Sequence, residues 1–432
     1  MNKPNVISVK MWGTTIGYLY QDGMGPVAFQ YDEDFLRSGI EVAPLKMPLS
    51  KRTYTFPGLP EKTFHGLPGL VADSLPDKFG NMVIKRFLER QGRSMDELTI
   101  IERLCYTGKR GMGALEYAPA VEMWAEDDKI NLDALTKLAA DILAEKEDFH
   151  VQGADNDKMI AQLMESASSV GGARAKTLIA WNPATNDIRS GQVAAGEGYE
   201  YWLLKFGSIP NNKDKDSSPD QCDYAKVEYA YYLMATAAGI NMSECRLLES
   251  NGVFHFMTKR FDRAEGTGEK LHMQSLCAIA HMDFNSAREY SYEEAFIVMK
   301  KLGLPYSDVL QLFRRMVFSD KARNYDDHTK NIAYIMDKEG IWRLSPAFDM
   351  TYAHKKNGEW THSHQMLING KADDILDSDL LAVANNAGIR KKDAELVIRQ
   401  VKEVVSRWEY FASQANVPAE TISAIRADID GN

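Results

Sequence analysis

Two polar loops on either side of a short predicted β-hairpin limit the possible folds of this chain more than any other segment. The first loop, 324–331, carries two adjacent aspartates and ends on an asparagine. The apolar runs 332–336 and 341–344, joined by a turn at 337–340, have the length and composition of paired strands. Asp349 follows in the second loop. The sequence therefore predicts that Asp349 lies one hairpin beyond the first loop.

The two loops carry residue types that suit phosphoryl transfer from ATP. Asp326 and Asn331 have the spacing of the catalytic loop of protein kinases. In that arrangement Asp326 accepts the proton of the attacking hydroxyl, and Asn331 and Asp349 offer the oxygen atoms that Mg²⁺ prefers. Lys330 would steady the transferred phosphoryl group. In isolation, the first loop is equally consistent with a polar turn whose aspartate caps a helix.

A lysine interrupts an otherwise apolar, strand-like run. Lys205 lies within 201–206, where a charged group needs a partner or a cleft. The helix predicted next along the chain carries Glu228, which can fix the lysine. Together they mimic the strand lysine and helix glutamate of protein kinases. The alternative is a lysine on an edge strand whose ammonium group reaches water.

A segment of small residues precedes these strands. Residues 168–177 contain Gly171, Gly172 and Lys176. Because small side chains let backbone N–H groups approach anionic oxygens, the segment is a candidate cover for the ATP phosphates. It matches neither G-x-G-x-x-G nor the Walker pattern, so a plain surface turn is the alternative interpretation.

Length, charge and cysteine content exclude several classes of protein. The chain has 432 residues, which predicts at least two domains, and a net charge of −10, which argues against a general nucleic-acid binder. The four cysteines lack metal-ligand spacing and indicate a reducing compartment. The first residues lack the apolar core of a signal peptide, and no apolar run is long enough to span a membrane. We therefore expect a cytoplasmic protein with no membrane partner.

Two other polar clusters carry no predicted site. His354, His362 and His364 match no common metal-ligand pattern, so we expect them on a polar surface. The acidic run 373–379 lacks the glycine of an EF-hand loop, and we interpret it as the solvated start of a helix.

Strand-like and helical patterns predict an α+β fold with two main parts. Residues 1–150 form an N-terminal α/β domain that starts with a β-hairpin. Residues 151–432 form a strand-rich lobe, about 151–268, followed by a mainly helical lobe, about 269–432. This is the lobe order of a protein kinase.

Local signals also predict helix boundaries in the N-terminal domain. A helical pattern runs from Lys78 to Gln91. Ser94 and Glu97 have capping-box spacing, which predicts that the next helix begins at Ser94.

Several separated motifs, in order along nearly the whole chain, resemble the HipA family of bacterial serine/threonine kinases, the toxins of toxin–antitoxin pairs. Residues 67–77 and 108–115 are similar to the N-terminal domain of that family. Residues 169–176, 259–263 and 326–331 are similar to its kinase domain.

The resemblance implies ATP and Mg²⁺ as cofactors and a role for each site residue. Asp326 would be the catalytic aspartate, with Asn331 and Asp349 on Mg²⁺. The nucleotide-binding residues implied by the family are Lys205 at the phosphates, His328 near the nucleotide, and the backbone of Lys259 to Phe261 at the adenine.

The resemblance also implies partners and a switch. Ser169 matches the serine that such kinases autophosphorylate, which displaces the glycine loop and inactivates the enzyme. The substrate would be a protein, with an aminoacyl-tRNA synthetase as the family precedent. A small helix-turn-helix antitoxin would bind the chain and carry it to operator DNA, so DNA would be reached only indirectly.

This sequence departs from the family pattern at two positions. Lys259 replaces an acidic residue, and Asp327 stands where a small residue can occur, although the spacing to Asn331 selects Asp326 as the base. Two other functions stay open: a small-molecule or lipid kinase, and a non-catalytic nucleotide-bound scaffold or co-repressor. The intact set of Lys205, Asp326, Asn331 and Asp349 argues against the scaffold.

Overall fold

The computed structural model describes residues 5–23, 25–121, 129–144, 160, 163–164, 174–192, 195–207, 209, 223–264 and 268–431. Within these ranges the protein has the predicted α+β fold, with three β-sheets and the helices that pack on them.

An antiparallel five-stranded sheet forms the N-terminal part, in the order β4-β3-β2-β1-β5. Its strands are β1 (Val6–Met11), β2 (Thr14–Tyr20), β3 (Ala28–Tyr31), β4 (Tyr54–Thr55) and β5 (Leu115–Ala118). Ile7, Val9 and Met11 of β1 are buried, because alternate side chains of a strand point to the same face. The strands β1 and β2 form the predicted opening hairpin.

Six helices lie in the N-terminal part of the chain. They are α1 (Glu33–Leu36), α2 (Glu61–Phe64), α3 (Gly69–Ala72), α4 (Lys78–Arg90), α5 (Ile100–Thr107) and α6 (Leu132–Leu143) within the described ranges. The capping box at Ser94 is present, but it begins only the 3₁₀ turn Met95–Glu97. A second capping box, formed by Thr99 and Glu102, begins α5. The helix predicted from Ser94 therefore starts later.

A second antiparallel sheet forms the strand-rich lobe, in the order β7-β6-β8-β10-β9. Its elements are β6 (Lys176–Asn182), β7 (Asp187–Ser190), β8 (Glu200–Lys205), β9 (Cys245–Ser250), β10 (Val253–Lys259) and the helix α7 (Tyr224–Ala237), which packs on β9 and β10. Strand β8 is central, so Lys205 is not on an edge strand, which excludes that alternative for it.

The remaining lobe is mainly helical. Its helices are α8 (Leu276–Ala280), α9 (Tyr292–Lys301), α10 (Tyr306–Lys321), α11 (Asp377–Asn386), α12 (Lys391–Val405), α13 (Trp408–Gln414) and α14 (Ala419–Asp430). A three-stranded sheet of β11 (His272–Ser275), β12 (Ala333–Met336) and β13 (Trp342–Leu344) contains the predicted hairpin, β12 and β13.

The hydrophobic cores connect the N-terminal part to both lobes. One cluster extends from the first sheet into the helical lobe, joining Val9 to Phe313 and Val401. Another places Val83 of α4 in the same cluster as Trp202 of β8. The predicted division near residue 150 falls among residues outside the described ranges and stays a prediction.

Cys105, Cys245 and Cys277 are buried free thiols. In the part of the chain that the structure describes, no helix combines the length and apolar character needed for crossing a membrane.

Candidate active site

Asp326, Asn331 and Asp349 line one cavity in the helical lobe. Asp326 lies in the loop after α10, Asn331 ends the 3₁₀ turn Thr329–Asn331, and Asp349 follows β13. The side-chain Nδ2 of Asn331 donates to the backbone oxygen of Asp326 at 2.8 Å. This bond closes the loop between the two residues and engages the amide nitrogen of Asn331, not its amide oxygen.

The two adjacent aspartates occupy different environments. The side chain of Asp326 is 40% exposed, with its Oδ1 3.9 Å from Nε2 of His328. Asp327 is buried and accepts hydrogen bonds from the Tyr292 hydroxyl at 2.9 Å and the Gln365 backbone N–H at 2.7 Å. Asp326 is therefore the aspartate that a substrate can approach.

Lys205 joins three elements of the site. Its ammonium lies 2.5 Å from Oε1 of Glu228 on α7 and also contacts Oδ1 of Asp349. Burial lowers the pKa of Lys205, but the two carboxylates outweigh burial and raise it above its ordinary value. Burial raises the pKa of Asp349, whereas the charges of Lys205 and Lys176 lower it more strongly. Both Lys205 and Asp349 are therefore charged at neutral pH.

The backbone of Asp349 is unusual. Its φ is +57°, a conformation that non-glycine residues rarely adopt and that aspartate tolerates better than most. Such conformations persist where surrounding contacts impose them, and they concentrate at functional sites. Here the residue that carries the strained backbone is the one whose carboxylate contacts Lys205.

Lys176 lies beside Lys205 in the ladder between β6 and β8. Its ammonium is buried and lies 3.4 Å from Oδ2 of Asp77, the residue that caps α4 in the N-terminal part. The structure therefore pairs this predicted phosphate-binding lysine with a carboxylate from outside the strand-rich lobe.

The segment predicted to meet adenine runs from the end of β10. Lys259 lies 3.3 Å from Glu200, and its backbone N–H donates to the Glu244 carbonyl. The ring of Phe261 packs on Phe348, the neighbour of Asp349, with centroids 5.5 Å apart. The segment thus adjoins the loop that carries Asp349. Three other predicted residues, Ser169, Gly171 and Gly172, lie outside the described residues.

The surface location predicted for the histidine cluster is wrong for two of its members. His364 is completely buried, with Nδ1 2.7 Å from Oδ2 of Asp327. His354 is largely buried and binds Asp428 at 2.5 Å, whereas His362 is exposed. Local spacing could not reveal the contact of His364, because its partner lies 37 residues earlier. Among the described residues no cluster of three metal-ligating side chains occurs.

A further buried group was missed by sequence reasoning. Asp262 pairs with Arg260 at 2.7 Å and Arg263 at 2.8 Å, and it accepts the backbone N–H of Gly113 at 2.7 Å. This cluster joins two motifs that sequence analysis could only place far apart, 108–115 and 259–263.

Comparisons with known proteins agree with this architecture. The HipA N-terminal domain model matches residues 7–118, and the HipA-like C-terminal domain model matches residues 168–408. A chain of the Shewanella oneidensis MR-1 toxin–antitoxin complex of HipA, HipB and operator DNA is 16% identical, with a TM-score of 0.66. That match covers 98% of this chain and 94% of the other.

Two predicted kinases of Sinorhizobium fredii match smaller parts of this chain. Y4dM is 26% identical over 263 residues, which are 54% of this chain and 58% of Y4dM. Y4mE is 23% identical over 125 residues, which are 27% of this chain and 30% of Y4mE. The matched regions thus span less than two thirds of either relative.

The fold and the arrangement of the site define a protein with an N-terminal β-sheet domain followed by a two-lobed, kinase-like region. Because the two family models together match most of its length, the chain belongs to the HipA family.

Proposed function

We propose that this chain is an ATP-dependent serine/threonine protein kinase. The observation that carries the proposal is the cavity that collects Asp326, Asn331 and Asp349 beside Lys205, which is bound to Asp349. Membership of the HipA family and the likeness to two predicted kinases support the same activity.

In the proposed reaction the substrate hydroxyl oxygen attacks the γ-phosphorus of ATP, and the bond to the departing ADP breaks. Asp326 accepts the hydroxyl proton, which its exposure permits. Lys205 neutralises phosphate charge, and Glu228 holds the ammonium in place. Because little covalent chemistry falls to the protein, positioning and charge neutralisation provide the rate enhancement.

The residues at the cavity fit Mg²⁺. The carboxylate of Asp349 is ionised because its pKa is lowered, and the side-chain oxygen of Asn331 adds a neutral ligand. Hard oxygen donors of this kind are those that Mg²⁺ takes alongside substrate phosphates. When bound, the ion would neutralise charge on the phosphates and orient them.

In this proposal, residues around the cavity bind the adenine and the phosphates of ATP. We assign the adenine to the backbone of Lys259 to Phe261, and we place His328 beside the nucleotide. Gly171, Gly172 and Lys176 would cover the phosphates, an assignment that rests on the family resemblance and on the position of β6 next to β8.

The family and the Shewanella complex support a toxin–antitoxin role. The chain would phosphorylate a protein in the cytoplasm, with an aminoacyl-tRNA synthetase as the family precedent. A small helix-turn-helix antitoxin would bind it and link it to operator DNA. Autophosphorylation of Ser169 would place a dianion in a loop that covers ATP phosphates, and like-charge repulsion would then inactivate the enzyme.

The test is transfer of the γ-phosphate of ATP to the protein itself, followed by mapping of the phosphorylated residue. Wild type should acquire phosphate on Ser169, and Asp326→Ala should lose about two or more orders of magnitude in rate. Tight ATP binding without transfer in wild type would instead favour the nucleotide-bound scaffold. Transfer to a small molecule or lipid in place of protein would favour the other kinase class.

A further inference from the structure

The residue next to the proposed base is enclosed by polar contacts from distant parts of the chain. Asp327 accepts the Tyr292 hydroxyl from α9 at 2.9 Å and the Gln365 N–H at 2.7 Å. Its third contact is Nδ1 of His364, at 2.7 Å. The side chain of Asp327 is only 4% exposed, so these contacts replace the hydration that its charge has lost.

His364 is a buried imidazole that lies between two carboxylates. Its second nitrogen, Nε2, lies 3.5 Å from Asp320 of α10, which also pairs with Lys321 at 2.8 Å. The ring of Tyr325 packs against the imidazole, with centroids 4.3 Å apart. Burial lowers the pKa of His364, but Asp327 and Asp320 outweigh burial and raise the pKa to about 9.

The contact of His364 with Asp327 fixes the loop that carries Asp326. Removing one partner of a buried ion pair leaves an uncompensated charge, which is strongly destabilising. Without the imidazolium, the Asp327 carboxylate would have to take up a proton or move toward water. Either change would weaken the hydrogen bonds that Asp327 accepts from Tyr292 and Gln365 and would loosen the loop beside Asp326. Displacement of a catalytic group by an ångström can cost two orders of magnitude in rate.

The same contacts hold the chain segment that follows Asp349. The backbone N–H of Gln365 and the imidazole of His364 both form hydrogen bonds with the Asp327 carboxylate. Arg288 donates to the Ser363 hydroxyl at 2.8 Å and to the Trp360 carbonyl at 2.9 Å. The loop of Asp326 and the residues around 360–365 therefore form one hydrogen-bonded unit.

We propose that His364 is a positioning residue for Asp326 and that it acts through Asp327. This inference rests on the proposed kinase activity. His364 touches neither substrate nor nucleotide in this assignment. Its imidazolium neutralises Asp327 and fixes the loop, so that Asp326 is the more exposed of the two aspartates that line the cavity.

The test measures self-phosphorylation at a range of ATP concentrations for wild type, His364→Gln, Asp327→Asn and the double variant. His364→Gln should lower the maximal rate about tenfold or more, while the half-saturating ATP concentration changes less than about twofold. Because His364 acts through Asp327, adding His364→Gln to Asp327→Asn should change the rate less than about threefold.

His354→Gln is the matched control. His354 also binds a carboxylate, Asp428, and also packs on the ring of Tyr325, with centroids 5.2 Å apart. It does not contact Asp327 in the hydrogen bonds of the described residues, so its maximal rate should stay at the wild-type value. Equal losses in His354→Gln and His364→Gln would overturn the inference, because they would indicate a general packing effect.

The remaining outcomes separate the inference from the proposed function. Transfer by wild type together with an unchanged maximal rate in His364→Gln overturns the inference alone. Absence of transfer in wild type overturns both, because there is then no base to position. If His364→Gln does not fold, the maximal rates of Asp327→Asn and the double variant are compared instead. A tenfold difference between these two rates overturns the inference.

Discussion

The charge of Lys205 is shared between two acidic residues, which has consequences for stability as well as for nucleotide binding. The side chain of Lys205 is 14% exposed, that of Glu228 3% and that of Asp349 31%. In Lys205→Met both carboxylates lose their partner. We expect the free energy of unfolding to fall by about 3–5 kcal/mol and ATP binding to weaken.

The measurement is chemical denaturation together with ATP titration. Lys226→Met is the control, since Lys226 lies on the same helix as Glu228 and pairs with Asp223, near the start of that helix, at 2.7 Å. Partly exposed pairs of this kind contribute at most about 1 kcal/mol. Equal stability losses in both variants would contradict the account of Lys205.

The buried imidazolium of His364 predicts how stability depends on pH. Its pKa in the folded protein is about 9, above the ordinary value of 6.5, so the folded state holds this proton more tightly than the unfolded state. The resulting stabilisation is complete below about pH 6.5 and is lost as pH rises through 9. We expect the free energy of unfolding of wild type to fall by on the order of 3 kcal/mol between pH 6.5 and 9.5, and that of His364→Gln to fall by less. Parallel pH dependence in the two proteins would contradict this.

Among single residues, those whose spacing is local could be predicted from the sequence to lie together. Asp326 and Asn331 lie in one loop, and a hairpin separates them from Asp349, so a single stretch of sequence held the pattern. His364 could not be found in this way, because its partner Asp327 comes to it only through tertiary packing.

The helix α10 fixes the strand that precedes Asp349 through one buried carboxylate. Asp308 accepts two hydrogen bonds from the Arg343 guanidinium, both at 2.8 Å, and one from the Leu344 N–H at 2.9 Å. These contacts fix β13 at the point where the chain continues toward Asp349.

Asp308→Ala should therefore destabilise the protein by about 2–3 kcal/mol, since it leaves a buried N–H without an acceptor. Thermal and denaturant unfolding measure the change. Asp393→Ala is the comparison: Asp393 accepts from Tyr306 at 2.8 Å and Arg390 at 2.6 Å near the surface of α10 and α12. A loss as large in Asp393→Ala as in Asp308→Ala would show that the buried N–H is not the cause.

The observed boundaries of helices and strands match the predicted ones where a local sequence signal determines them. The helix α4 and the hairpin β12–β13 lie where apolar periodicity placed them. The capping box at Ser94 was a true cap, but a cap satisfies only the first N–H groups and does not set helix length. The next residues form a 3₁₀ turn, and Thr99 begins the longer helix.

On the scale of the whole molecule, the N-terminal part is packed against both lobes. Asp73 accepts the Ser275 N–H at 2.7 Å and its hydroxyl at 2.9 Å, which links α3 to the helical lobe. Lys176 pairs with Asp77, which links α4 to the strand-rich lobe. Sequence motifs predict the order of the N-terminal part and the two lobes. They do not predict these contacts, because each contact joins residues about a hundred or more positions apart.

This packing predicts cooperative unfolding. Since the core around Val9 continues into the helical lobe, loss of one part exposes apolar surface of the others. Calorimetry should therefore record one main transition whose calorimetric and van't Hoff enthalpies agree. Two well-separated transitions would mean that the N-terminal part folds independently of the lobes.

Asp326 is the proposed base of the phosphotransfer site, and the rate of γ-phosphate transfer by Asp326→Asn tests this assignment most directly. The side chain is 40% exposed, so the substitution should leave folding and ATP affinity close to wild type. We predict a rate at least about a hundredfold lower at saturating ATP. A rate equal to that of wild type, with ATP affinity unchanged, would contradict the assignment of Asp326 and with it the proposed mechanism.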